Sequence, residues 1–365
     1  IYAKMRVLPI PAELASLLYK ASKNQTQLVN SIMTMTPPSG EIILFLQSLQ
    51  EQFEASPLLK PFFPFIALFG YKSIDTNILV VDPKIGDSSA FVFGRQLRSY
   101  YEQFIWKTSS VSKENEVKDT LQGNEVSQYI LQQLHTPIAN GFKLACESGP
   151  LCGEVLWGNL FVLEDLFFLP EVASTDDGMT IPEQERILGE INELEHVSFT
   201  IEEVQERLRS IQSGSVITLT KQLCHQAYEQ ASARIAEPMY RCVLQCSSDQ
   251  LGKLYTVINQ RRGIVQNEDI WEGTDIFTIT CSLPVTESLG LANDLRQQTS
   301  GAVNQPQLQF SHWQILDEDP FAIPVTEEEK EEWGEAFGTR NRAKQIIDSI
   351  RKRKGMQTDE KIVEN

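Results

Sequence analysis

The chain has 365 residues and a formal net charge of −17, from 32 basic and 49 acidic side chains. At roughly 100–200 residues per domain this is two or three domains with enough chain for a proper hydrophobic core. The excess of carboxylates excludes a simple polycation that coats nucleic acid by neutralising phosphates, while 41% hydrophobic against 22% charged residues is the balance of an ordinary globular protein.

In chain order, alternation over Ile1–Leu8 predicts a strand and Ala12–Lys20 a helix. Thr36-Pro37-Pro38-Ser39-Gly40 breaks the chain before a helix over Glu41–Phe53, with Ile42, Ile43, Leu46, Leu49 and Phe53 at helical spacing. Asn77–Val81 is a β-branched run, and the polar residues from Ser109 to Gly123 read as a surface insertion. Asn124–Glu147 is helical in pattern up to Gly149-Pro150, and Pro137 is expected to kink or split it. Leu156–Phe168 is strand-rich. The acidic segment that follows predicts two amphipathic helices. The second has Thr200 as N-cap, Glu203 three residues on, Phe199 placed to staple against Val204, and Gly214 just past its end. Its stripe of Ile201, Val204, Leu208 and Ile211 either packs on the body or docks a partner.

From Pro238 to Leu316 the order is β-α-β-β-α-β: strands over Met239–Cys246, Ile264–Ile270, Asp275–Leu283 and Gln307–Gln314, helices from Ser247 and over Glu287–Gln297. That is the split βαβ, or ferredoxin-like, pattern. Ser247 with Gln250 suggests a capping box, Gly263 a C-terminal cap, and Leu291 and Leu295 an inward face.

The charge is not evenly spread. Residues 171–206 hold eleven carboxylates against Arg186 alone before the basic end of the second helix, and residues 317–335 hold nine against Lys330, so the rest of the chain nets +1 and an RNA-facing surface is allowed. The longest apolar stretches, Phe62–Gly70 and Ile42–Leu46, fall short of the roughly 20 residues that span a bilayer, so no membrane partner is expected. Starting at Ile1 without a charged and then apolar leader, the chain reads as a piece of a longer protein with no secretory signal in view. Six cysteines without paired CxxC spacing read as reduced thiols of a cytosolic or nuclear protein.

Gly252-Lys253, the one Gly-Lys pair, runs into Leu254 inside a predicted helix and is no phosphate-cradling loop. His135, His196, His225 and His312 lack metal-ligand spacing, and Cys224 and His225 are adjacent residues that would leave a helix on different sides. Neither a catalytic residue nor a metal site is read. Arg261-Arg262 closes a helix at a corner where phosphate contact is easy; favourable interaction with the helix C-terminus accounts for the pair equally well. Arg351-Lys352-Arg353-Lys354, at the end of a terminal helix with Glu-rich beginnings after Thr326, is open to the same two readings.

Gly141-Phe142-Lys143-Leu144-Ala145 and Gly149-Pro150-Leu151-Cys152-Gly153-Glu154 resemble domain IV of the elongation factor two and elongation factor G family. Ala236-Glu237-Pro238-Met239-Tyr240, Asn259-Gln260-Arg261-Arg262-Gly263, Leu283-Pro284-Val285-Thr286-Glu287-Ser288-Leu289-Gly290, Asn293-Asp294-Leu295-Arg296 and Phe310-Ser311-His312-Trp313-Gln314-Ile315-Leu316 resemble domain V. The resemblance runs with interruptions from about Val126 to Phe321, with Asn77–Asp82 and the tail. It implies an α+β fold: domain IV over 1–233, an α/β layer like ribosomal protein S5 domain 2 with insertions at about 85–123 and 170–213, then a ferredoxin-like domain V over 234–323, then a C-terminal helix and tail over 324–365. The family's translocases carry a His-Arg-Gly-Gly-Gly tip in domain IV; here Leu169–Ser215 holds the acidic insert instead.

That departure is similar to the elongation factor-like GTPases of late cytoplasmic large-subunit maturation. It implies the large ribosomal subunit as partner, with its rRNA and ribosomal proteins, and joint action with the Shwachman–Diamond syndrome protein to release the anti-association initiation factor. GTP and Mg would belong to a G domain outside this sequence, so no cofactor and no GTP hydrolysis are expected of the chain itself. The residues assigned to a nucleic-acid surface are Lys253, Arg261, Arg262 and Arg296. A divergent translocase and the related spliceosomal GTPase share the scaffold and stay open, as does a plain interaction module with no ribosome role.

Overall fold

The computed structural model describes residues 2–21, 25–37, 39–70, 76–85, 90–105, 120–122, 124–168, 198–270, 273–322 and 341–358. They fall into two compact units, Ile1–Ser232 with Ile350–Asn365, and Ala233–Ser349. The first helix expected in the acidic segment, His196, the Phe199 side chain, most of the 109–123 insertion and the Glu-rich stretch after Thr326 lie outside the described residues.

In the first unit, β1 (Tyr2–Pro9), β2 (Ile66–Phe69), β3 (Ile78–Val81) and β5 (Asn159–Phe167) form a sheet in the order β1-β5-β3-β2. β5 runs parallel to β3 and antiparallel to β1, and β2 antiparallel to β3. All residues of Ile-Leu-Val-Val in β3 are buried because both faces of the sheet are covered. Leu79, Val81, Phe161 and Leu163 face a core completed by α5 (Asn124–Glu147), α6 (Ile201–Ser210) and α7 (Ser213–Gln230). Ile78, Val80, Leu160 and Val162 face a second core with α1 (Ala12–Ala21), α3 (Gly40–Ala55) and α4 (Val92–Tyr100); α2 (Gln25–Thr34) completes this layer. A short pair, β4 (Thr120–Gln122) with β6 (Ser198–Thr200), precedes α5 and α6 respectively.

Several expectations change in detail. Pro137 does not split α5, which is one helix over its whole range. Its buried face of Ile130, Leu134, Ile138 and Phe142 supplies packing that outweighs the one backbone bond proline removes. The stripe of α6 packs inward, with Val204 fully buried and Leu208 and Ile211 against the same core, so those side chains are not a free docking face. Gly214 lies inside α7; α6 ends at Ser210, with Ile211 as its C-cap. Within α5, Gly141 is required by close approach: a Cβ there would sit 2.6 Å from Thr220 Cβ and 2.7 Å from the Ile217 carbonyl of α7.

The second unit contains β7 (Ala236–Ser247), α8 (Leu251–Gln260), β8 (Ile264–Ile270), β9 (Ile276–Pro284), α9 (Leu291–Gln298) and β10 (Gln307–Ile315). The sheet order is β10-β7-β9-β8, antiparallel throughout, which is the ferredoxin-like arrangement. Cys242, Leu244, Ile279 and Leu283 on one face meet Leu254, Val257 and Ile258 of α8 and Leu291 and Leu295 of α9. The helix from Glu287 begins later than expected: Val285–Ser288 is a 3₁₀ turn, and Gly290 at φ 79° turns the chain into α9. The Ser247–Gln250 capping box is not formed, since Ser247 makes no side-chain cap bond and Ser248 Oγ donates to Asp275 Oδ2 at 3.0 Å.

The terminal helix α10 (Arg342–Lys354) starts in the second unit, and its residues from Ile350 belong to the first. Asn341 Oδ1 accepts from the Lys344 N–H at 3.0 Å and Glu318 Oε2 from the Arg342 N–H at 2.7 Å, capping its first turn. At the other end Gly355, at φ 69°, closes a Schellman motif in which Met356 N–H donates to Arg351 O at 2.9 Å. Lys354 Nζ reaches Gly153 O at 2.8 Å and Glu154 Oε1 at 2.7 Å, so part of the basic run holds a loop of its own unit.

Candidate nucleic-acid interface

The four basic residues assigned to a nucleic-acid surface divide into two kinds. Arg261 is the C-cap of α8, and its side chain turns back into the domain with 16% of its surface exposed. Its Nε and Nη2 donate to Asp294 Oδ2 at 3.0 and 2.5 Å, and Nη1 donates to Leu289 O at 2.7 Å and to Glu287 O. It thereby fixes the Glu287–Gly290 turn ahead of α9.

Arg262 carries φ 59°, the left-handed residue of a Schellman motif in which Arg262 N–H donates to Asn259 O and Gly263 N–H to Ile258 O. The expected cap, Gly263, sits one position later; a Cβ there would lie 2.4 Å from Ile258 Cγ2, which is why glycine stands beside the helix end. The Arg262 guanidinium meets the carboxylate of Glu237 at the start of β7, Nη2 to Oε1 at 2.6 Å and Nη1 to Oε2 at 3.2 Å. Glu237 is 7% exposed in its side chain and Arg262 28%. Both guanidinium groups are thus engaged by carboxylates of their own domain, Arg262 by the buried Glu237 and Arg261 by the half-exposed Asp294.

Lys253 on α8 and Arg296 on α9 are exposed. Because both helices cover the same face of the sheet, the outer surface of this layer presents Lys253, Thr256, Asn259, Asn293, Arg296 and Gln297, all exposed. The carboxylate of Asp294 in this layer is engaged by Arg261. One hydroxyl, three amides and two cations, in a protein of net charge −17, form a surface able to take phosphate and sugar contacts without strong repulsion.

Other chemistry is accounted for locally. Burial pushes the Cys224 thiol up to about 12, and its S–H lies 3.3 Å from Met5 Sδ rather than on a histidine. His135 Nδ1 is 2.8 Å from Gln132 O and His312 Nδ1 3.0 Å from Ser311 Oγ. Among the described residues no group of three or more His, Cys, Asp or Glu side chains is placed to hold a metal, and no helix is long and apolar enough to cross a membrane. The cavity between α5, α7 and the sheet, lined by Met5, Leu134, Ile138, Leu163 and Val216, has a volume of about 20 Å³ and apolar walls, too small for a ligand.

Residues 234–324 match the family described as elongation factor G C-terminus. The chain is 38% identical over 255 residues to human elongation factor-like GTPase 1, covering 66% of this chain and 22% of that protein. It is 38% identical over 228 residues to ribosome assembly protein 1 of Saccharomyces cerevisiae, covering 62% and 18%, and 34% identical over 252 residues to the Schizosaccharomyces pombe protein of that name, covering 69% and 22%. The chain spans about a fifth of the length of these relatives.

Proposed function

We propose, for a chain whose resemblance to the elongation factor-like GTPases is shown by its motifs and its relatives, that it is the ribosome-binding C-terminal part of a GTPase of large-subunit maturation. The observation that carries this is the ferredoxin-like domain matched to the elongation factor G C-terminus, in a chain whose relatives are named for ribosome assembly. In this reading the protein acts in the cytoplasm on the large ribosomal subunit. With the Shwachman–Diamond syndrome protein it promotes release of the anti-association initiation factor. GTP and Mg bind in the parent protein's G domain; this chain supplies the arm that translates the G domain's nucleotide state into movement on the subunit.

The outer helical layer of the ferredoxin-like domain is the surface we assign to rRNA, with Lys253 and Arg296 as its phosphate contacts. Arg261 and Arg262 support the same surface from within, one fixing the turn into α9 and the other the corner after α8. The reading is tested by co-sedimenting the chain with purified large subunits over a salt series. Binding should weaken as salt rises, and Lys253→Gln and Arg296→Gln should each lower the slope of log K against log salt by about 0.7–0.9. Binding that ignores salt, or none at all, would overturn it.

A further inference from the structure

The ferredoxin-like unit buries three thiols on the helix-covered side of its sheet, Cys242 and Cys246 on β7 and Cys281 on β9. Cys242 and Cys281 are register partners on the two central strands, rising from directly opposite positions. Partners of this kind have Cβ atoms about 4.5–5.5 Å apart, and a disulfide needs about 3.5–4.5 Å. Closure therefore asks for a movement of about 1 Å. Cys246 faces Phe277 in the register and lies four residues farther along β7, roughly 13 Å from Cys242. The two opposed thiols influence each other: the neighbouring Cys281 thiol, with burial, raises Cys242, and Cys242 in turn lowers Cys281.

We propose that Cys242 and Cys281 form a modification site, a cross-strand dithiol that a hydroperoxide converts to a disulfide joining β7 to β9. The Cys281 thiolate attacks the peroxide, the O–O bond breaks, and the departing oxygen leaves as water with the thiol's proton. The Cys242 sulfur then attacks the Cys281 sulfenic acid. An S–S bond forms as the S–O bond breaks, and the hydroxyl leaves with the Cys242 proton as a second water. Two thiols are oxidised by two electrons in all, and one peroxide is reduced. With Cys242 0% and Cys281 1% exposed, reaction proceeds through openings that lift α8 or α9 from the sheet, so it is slow beside oxidation of an accessible thiol.

The test treats the full chain with hydrogen peroxide, blocks remaining thiols with N-ethylmaleimide in denaturant, and analyses the tryptic peptides by mass spectrometry. The expected product joins peptide 242–253 to peptide 263–296, two hydrogens lighter than their sum, and disappears with dithiothreitol. Because Cys246 shares the first peptide, Cys246→Ser must retain the product and Cys242→Ser must lose it. Cys242→Ala is run beside the serine variant, with circular dichroism confirming that each is folded. Recovery of Cys242 and Cys281 as separate maleimide adducts after Cys152 has been oxidised overturns the proposal. So does a joined product that survives Cys242→Ser and vanishes in Cys246→Ser.

Discussion

The guanidinium of Arg262 and the carboxylate of Glu237 form a two-point ion pair, at 2.6 and 3.2 Å, that ties the corner after α8 to the start of β7. The pair stabilises a backbone that arginine disfavours, since Arg262 occupies the left-handed region. Arg262→Ala loses the pair, leaves a buried carboxylate uncompensated and keeps a Cβ at positive φ. It should cost about 2–3 kcal/mol, below the usual value for a buried pair because Arg262 is partly exposed. Arg262→Gly should recover about 1 kcal/mol of that. Urea denaturation of both variants measures the difference; equal losses would remove the backbone part of the argument. Neither variant should change the salt slope of subunit binding, in contrast to Lys253→Gln.

Long periodic segments were legible from the residues alone. The limits of α5 agree with the pattern read over Asn124–Glu147, and the β-α-β-β-α-β order of the second unit follows from alternation and breakers. What was not legible was set by partners distant in sequence. α2 has few apolar positions among Gln, Thr, Asn and Ser, and β2 is hidden behind the prolines and aromatics of Lys60–Phe65. The carboxylates that occupy Arg261 and Arg262 lie 33 residues downstream and 25 upstream. Nothing local distinguishes an arginine aimed at solvent from one folded back on such a partner. Family motifs bracketed all four residues without showing that they pair.

Gly141 tests the packing of α5 on α7. The space for a methyl group there is occupied by Thr220 Cβ and by a backbone oxygen, Ile217 O. A backbone carbonyl inside a helix cannot swing aside, so Gly141→Ala must push the helices apart. The gain in helix propensity, about 1 kcal/mol, is outweighed by overpacking of about 1–3 kcal/mol. A net loss is expected in chemical denaturation. Gly141→Ala with Thr220→Ala should recover little of it, because alanine removes Thr220 Cγ2 but keeps the Cβ, and the carbonyl remains.

Asn77 is the buried polar hinge between β3 and β5. Its Nδ2 donates to Leu156 O at 2.9 Å, and its Oδ1 accepts from Asn159 N–H at 3.2 Å and Asn159 Nδ2 at 3.0 Å. Thr76 Oγ1 accepts from Gly158 N–H beside it at 2.6 Å. Asn77→Ala leaves these backbone groups without partners in a buried site and should cost about 2–4 kcal/mol. Asn77→Asp cannot donate to Leu156 O and brings in a charge, so it should be no better than alanine. Hydrogen exchange at the Asn159 amide should quicken in both variants.

The capping box at Thr200 and Glu203 gives a pH-dependent prediction. Thr200 Oγ1 accepts from Glu203 N–H at 3.3 Å, and Glu203 Oε2 accepts from Thr200 N–H at 2.9 Å. The Thr200 backbone N–H, then its hydroxyl, hold the Glu203 carboxyl below its ordinary value. A carboxyl lowered in the folded state contributes stability above its unfolded pKa and loses it as pH falls through the folded one. Comparing the chain with Glu203→Ala by denaturation at successive pH values should show a stability difference above about pH 5 that shrinks below about pH 4. Thr200→Ala should cost about 1 kcal/mol near neutrality by removing the N-cap acceptor. Because Val204 of the same helix is fully buried in the core of the first unit, the loss should appear in the main unfolding transition and not as fraying of α6 alone. A Glu203→Ala difference that stays constant down to pH 3 would show that the carboxylate is not what closes the box.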